Sequence, residues 1–216
     1  FIKIVKKNVV STATSITTVS QFLKKKITQN LKHKIFHILP NGYDQSLTEI
    51  VENLPQKSDK LTIAFAGTIY QWHPWKSFLS VCSHLIEHHN IHVHLQFYGL
   101  NNPIEFNNYI LTLPIKTQNS ISITPKLQNK ELLQQLAQCN LMLLFNDYSI
   151  LGTKIYDYLG IKRKIILCYK NDTQALQLKN KYYNIEEVEG VSKTLQEDLI
   201  KETNAGIVVE NEEHLK

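Results

Sequence analysis

From residue 61 onward, short apolar runs alternate with longer amphipathic stretches, and this alternation most limits what the chain can fold into. LTIAFAG (61–67) is an apolar run that stops at a glycine, and IHVHLQFYG (91–99) stops the same way. Residues 120–124, 141–145, 164–168 and 206–209 are further runs of this kind. Between them, residues 76–88 place Phe78, Leu79, Val81, Cys82, Leu85 and Ile86 on one helical face. Residues 129–138 do the same with Leu132, Leu133, Leu136 and Ala137. Residues 104–111 and 154–159 read as short helices, the second capped by Gly160, and weaker helical segments follow Asn171, with a helix starting at Asn211. Apolar runs closed by glycine read as buried parallel strands. Strand and helix in alternation predict an α/β fold, a doubly wound parallel sheet.

The first 38 residues stand outside that alternation. Residues 19–31 read as a basic amphipathic helix with Ser20 as N-cap, residues 35–39 as a strand, and PNGYD (40–44) as a turn. A boundary near Pro40 therefore divides residues 1–38 from a Rossmann-like domain at 39–216, with a polar stretch at 56–60 leading into the sheet. The chain opens with Phe1 and its sole methionine is Met142, as expected of a piece of something longer. The helix starting at Asn211 is expected to be cut short after Lys216.

Composition excludes little: the chain is 43% hydrophobic with a net charge of +5. Cys82, Cys139 and Cys168 lie far apart and read as small buried hydrophobes in a reducing compartment. No run of apolar residues is long enough for a membrane span, and no leader sequence is recognisable. The histidines at 88, 89, 92 and 94 have no carboxylate or thiol beside them, so no metal is expected. The lysines at 24, 25, 26, 32 and 34 suit either a solvated helix face or contact with anionic lipid or nucleic acid.

Ligands of an open parallel sheet bind beyond the carboxyl ends of its strands, which directs attention to three segments. GTIYQWHPW (67–75) joins a glycine that admits close approach to Thr68, His73 and two tryptophans, before a helix whose N-terminus attracts anions. The alternative is an ordinary loop with Trp72 and Trp75 packed on the surface. In NDYSILGTKIYDYLG (146–160), Gly152 and Thr153 open a helix whose free N–H groups suit a phosphate. Lys154 adds positive charge there, and Asp157 offers a carboxylate to sugar hydroxyls. The alternative makes Thr153 a simple N-cap and Asp157 a favourable first-turn charge. In ITPKL (123–127), the backbone at Lys126 and Leu127 either reads the edge of a base or is a plain loop. Neither the dinucleotide fingerprint nor the P-loop spacing occurs.

Taken in order, these segments resemble the GT-B-fold retaining glycosyltransferases of the large group 1, family 4-like class. SITTVSQFL (15–23) is similar to the end of that family's N-terminal domain, IFHILPNGYD (35–44) to its hinge strand and turn, and 65–75 to its first donor loop. GTKIYDYL (152–159) is similar to the helix that binds the donor's diphosphate and ribose, and AGIVV (205–209) to a late strand. The sequence departs from the pattern at defined places. Where many members carry an arginine and a lysine on the donor phosphates, this chain has Thr68 and His73, with Lys76 and Lys154 as nearby cations. Where they carry paired glutamates, it has Ser149 and Asp157.

The resemblance implies the donor-binding part of a hexosyltransferase acting from a UDP- or GDP-sugar, with Gly67, Thr68, His73, Lys126, Leu127, Gly152, Thr153, Lys154 and Asp157 at the donor. It implies a saccharide or lipid-linked acceptor, polysaccharide or cell-envelope synthesis, and neither cofactor nor metal nor nucleic acid. A cytoplasmic location, at most at the inner membrane face, goes with it. Catalytic residues stay unassigned because the acceptor domain is expected to be absent, and this piece alone is expected to bind nucleotide weakly without turnover. The alternative is a non-catalytic GT-B-like domain kept for assembly or regulation.

Overall fold

The computed structural model describes residues 12–28, 35–51, 54–56, 60–184 and 192–216. All six expected strands form: β3 Leu61–Ala66, β4 Val93–Tyr98, β5 Ile121–Thr124, β6 Leu141–Phe145, β7 Lys164–Cys168 and β8 Gly206–Val209. They make one six-stranded sheet in the order β5-β4-β3-β6-β7-β8, and every pairing is parallel. The remaining strands, β1 Ser15–Thr18 and β2 Ile35–Ile38, pair in parallel as a separate two-stranded sheet.

The ten described helices are α1 Gln21–Thr28, α2 Gln45–Val51, α3 Trp75–His88, α4 Pro103–Ile110, α5 Ile115–Gln118, α6 Asn129–Ala137, α7 Lys154–Gly160, α8 Thr173–Tyr183, α9 Leu195–Glu202 and α10 Glu212–Leu215. Alternation along each strand sends residues to two cores. Ile63, Phe65, Leu95, Phe97 and Phe145 pack with Phe78, Leu79 and Cys82 of α3 and Phe106 of α4. Ala64, Ala66, Met142, Leu144 and Ile165 pack with Leu133 and Leu136 of α6, Ile155 and Tyr158 of α7, and Ile200 of α9. A sheet apolar on both faces requires helices on both, which is why its strands read as unbroken hydrophobic runs.

Several local readings change. Gly160 ends inside α7 rather than capping it. A Cβ there would stand 2.5 Å from Thr48 Cγ2 and 2.9 Å from Tyr43, so the glycine lets the 40–44 turn and α2 lie against α7. The short helices α2 and α5 and the strand β1 had no counterpart in the sequence reading. Asp44 starts α2, its Oδ1 accepting from Ser46 N at 3.0 Å, while Ser20 caps α1 as expected, with Leu23 N donating to Ser20 Oγ at 3.2 Å. Trp72 and Trp75 are buried, not surface residues. The three cysteines are buried and free, and burial pushes the Cys82 thiol up to about 12.

On α1, Lys24 lies over the Phe36 ring and Lys26 over that of Tyr183, and of these three lysines Lys25 alone is exposed. Residues 1–11, 29–34 and 57–59, which include Lys32, Lys34 and parts of the expected helix and polar stretch, lie outside the described residues. No described helix is long and apolar enough to cross a membrane.

Candidate functional site

The sheet winds outward in both directions from the β3–β6 pair, which makes that pair its switch point. The two strands pair only at Ile63↔Leu141 and Ala64↔Met142, then run on to Ala66 and Phe145 without pairing to each other. The Ala66 N–H donates to Tyr158 Oη of α7 at 3.0 Å. The parted strand ends leave a crevice of about 210 Å³, lined by residues from the loops after both strands, including Thr68, His73, Asp147, Gly152, Thr153 and Lys154.

Gly67 has φ +109, a conformation closed to most L-residues. A Cβ there would lie 3.0 Å from Lys154 Cε. The lysine stem therefore lies across the Gly67 backbone, and the two segments singled out by sequence meet. Lys154 Nζ stands 4.0 Å from Asp157 Oδ2, with both side chains partly open to solvent. Burial raises the Asp157 carboxyl above its ordinary value, and the Lys154 charge only partly opposes this. Thr153 has helical backbone angles and makes no side-chain cap bond. With only seven residues in α7, positive charge in the crevice comes from Lys154 rather than from a helix dipole.

His73 lines the crevice, but its ring is buried and both nitrogens are engaged. Tyr70 N donates to His73 Nδ1 at 3.3 Å, so Nε2 carries the hydrogen and donates to Asp147 Oδ1 at 3.0 Å. Trp72 Nε1 donates to the same oxygen at 3.0 Å, and the Asp147 N–H donates to Gln196 Oε1 at 2.7 Å. Asp147 was not among the residues expected from sequence. It precedes the substituted Ser149 by two positions, and nothing in the local pattern distinguishes it from a loop aspartate. Ser149 faces away from the crevice chemistry: it is buried and accepts from the equally buried Lys179 Nζ at 2.8 Å.

Lys126 and Leu127 are not part of this crevice. Lys126 packs over Gly99, where a Cβ would lie 3.5 Å from Lys126 Cα, and helps line a cavity of about 450 Å³ with Leu100, Asn107 and Ile123. A third cavity, of about 520 Å³, lies between the 69–77 segment and residues 100–106. Lys76 sits there, paired with Glu105 at 3.3 Å. Among the described residues no group of histidines, cysteines or carboxylates is arranged to hold a metal.

No family model matches the chain, and no curated protein matches it in sequence. Solved structures do share its fold. A glycosyltransferase from Rickettsia africae ESF-5 superposes over 92% of this chain and 62% of its own, with a TM-score of 0.53 and 16% identity. Anabaena HepE in complex with UDP-glucose covers 93% of this chain and 58% of its own, at 0.54 and 12%. A point mutant of S. aureus TarM, in complex with Fondaparinux, alpha-GlcNAc-glycerol and UDP, covers 92% and 43%, at 0.53 and 10%. The fold is that of the GT-B glycosyltransferases. The chain spans between 43% and 62% of the length of these three structures.

Proposed function

We propose that this chain is the nucleotide-sugar-binding half of a glycosyltransferase that moves a hexose, with retention, from a UDP- or GDP-sugar to a saccharide or lipid-linked acceptor in polysaccharide or cell-envelope synthesis. The observation that carries the reading is the meeting of Gly67 and Lys154 at the switch-point crevice. Two of the fold's neighbours hold UDP or UDP-glucose, and the crevice has the chemistry for a diphosphate. Gly67 brings bare backbone to its edge, and Lys154 supplies the cation.

When the bond from the sugar's anomeric carbon to the diphosphate breaks, negative charge grows on the leaving group. Lys154 offsets that charge in a partly desolvated site, where a fixed cation acts more strongly than in water. Asp157 accepts from the ribose hydroxyls. The transfer takes place in the cytoplasm, and contact with a membrane surface is at most peripheral, through the exposed Lys25 side of α1.

The reading is tested by calorimetric titration with UDP, GDP, ADP and NAD. UDP or GDP binds selectively, and Lys154→Ala weakens it about tenfold or more, the range for a hydrogen-bonded charge. Equal affinity in the wild-type and Lys154→Ala chains moves the diphosphate elsewhere. No binding by any nucleotide removes the donor-domain reading.

A further inference from the structure

We propose that Asp147 is the carboxylate that recognises the sugar portion of the donor, a role that rests on the nucleotide-sugar reading of the crevice. One of its oxygens is fully committed: Oδ1 accepts from both Trp72 Nε1 and His73 Nε2, each at 3.0 Å. Both donors are themselves held. Trp72 is buried and stacks on Tyr70 with ring centroids 4.4 Å apart. His73 is kept in one tautomer by the Tyr70 N–H at Nδ1. The backbone of Asp147 is tied in turn to Gln196. The carboxylate therefore has a single orientation.

That orientation aims the second oxygen at the crevice. Oδ2 lies beside Gly152, 3.7 Å from where a Cβ on that residue would stand, and takes no hydrogen bond among the described residues. Its side chain is 18% exposed, so the oxygen is open to a ligand yet largely sheltered from bulk water. An ionised oxygen so placed repels phosphate and accepts from hydroxyls. The crevice is thus sorted by charge. Lys154, over Gly67, takes the phosphates, and Asp147, at the other wall, takes the hydroxyl-bearing part of the same ligand. A rigid buried acceptor also discriminates, because a ligand without the matching hydroxyl leaves it unsatisfied. His73 and Trp72 act here as positioning residues.

Asp147→Asn is the informative substitution. The two N–H donors require the amide oxygen at the Oδ1 position, so the variant keeps its supports and turns an NH2 group into the crevice. UDP, GDP and their glucose conjugates are titrated calorimetrically into the wild-type and variant chains. Affinity for the free nucleoside diphosphate stays within about twofold. The ratio of sugar-conjugate to diphosphate Kd rises about tenfold, as for loss of a hydrogen bond to a charged group. His73→Phe raises the same ratio, and His73→Gln, which restores a donor to Asp147, lowers it again. An unchanged ratio in Asp147→Asn overturns the assignment while leaving the nucleotide site intact. A parallel loss for diphosphate and conjugate also overturns it, because Asp147 would then serve the whole site. A wild-type chain that binds no nucleotide removes the donor reading and this assignment with it.

Discussion

Asp157 carries opposing demands. As the proposed ribose acceptor it must reach the ligand, while burial lifts its carboxyl above the ordinary value near 3.8. The Lys154 charge, 4.0 Å away and partly solvated, recovers only part of the loss. Between the ordinary value and the raised one, the folded chain holds a proton that the unfolded chain has released. Stability therefore falls as pH rises through that window and stays lowered at neutral pH. Asp157→Asn removes the penalty. Its urea midpoint at pH 7 is expected to lie above that of the wild type, and the gain to shrink toward zero as pH drops below the ordinary value. On the proposed ribose role, nucleotide affinity is expected to fall in the same variant, the usual cost of a site residue kept against stability. A variant no more stable than wild type at pH 7 would show that burial does not govern this group.

At the scale of elements, the crevice exists because β3 and β6 part after two paired positions. Parting frees backbone groups at the end of β3, and a buried N–H without a partner is costly. Tyr158 answers this: it is wholly buried, and its hydroxyl accepts from Ala66 N at 3.0 Å. The bond joins the residue before Gly67 to the helix bearing Lys154 and Asp157, and so ties the end of β3 directly to α7. Tyr158→Phe leaves the Ala66 N–H unpaired in an apolar setting and is expected to cost about 1–3 kcal/mol. Urea unfolding reads the loss, and faster hydrogen exchange at the Ala66 amide localises it. Unchanged exchange there would mean that another acceptor takes over.

This pattern of strands and helices was legible because burial on both faces writes itself as apolar runs, and the glycines at 67 and 99 marked where two of them stop. The short elements were not: α2 and α5 are held by caps and neighbours more than by periodicity, as Asp44 and Gly160 illustrate. Within the site, Gly67 and Lys154 were visible as residue types suited to phosphate. Asp147 was not, because its significance lies in donors from a segment more than seventy positions earlier in the chain. For the same reason the hydrogen bonds of His73 to Tyr70 and Asp147 were not legible, although its place beside the donor loop was.

For the molecule as a whole, the question is how the first segment is joined to the sheet domain. Phe22 of α1 is fully buried. It meets Tyr183 of α8 edge-on at 5.6 Å and lies beneath the Lys179 ammonium at 4.2 Å. Lys179 in turn donates to Ser149 in the β6–α7 loop, and Tyr183 lines the crevice. Residues before the expected boundary near Pro40 thus pack on the same helix that backs the proposed donor site. Truncating a buried aromatic of this kind costs about 3–5 kcal/mol. Phe22→Ala is therefore expected to lower the urea midpoint, expose the 12–28 segment to limited proteolysis, and weaken nucleotide binding through Tyr183 and Lys179. If proteolysis instead removed that segment while the midpoint and the affinity stayed at wild-type values, α1 would be an appendage. Its packing on α8 would then play no part in shaping the crevice.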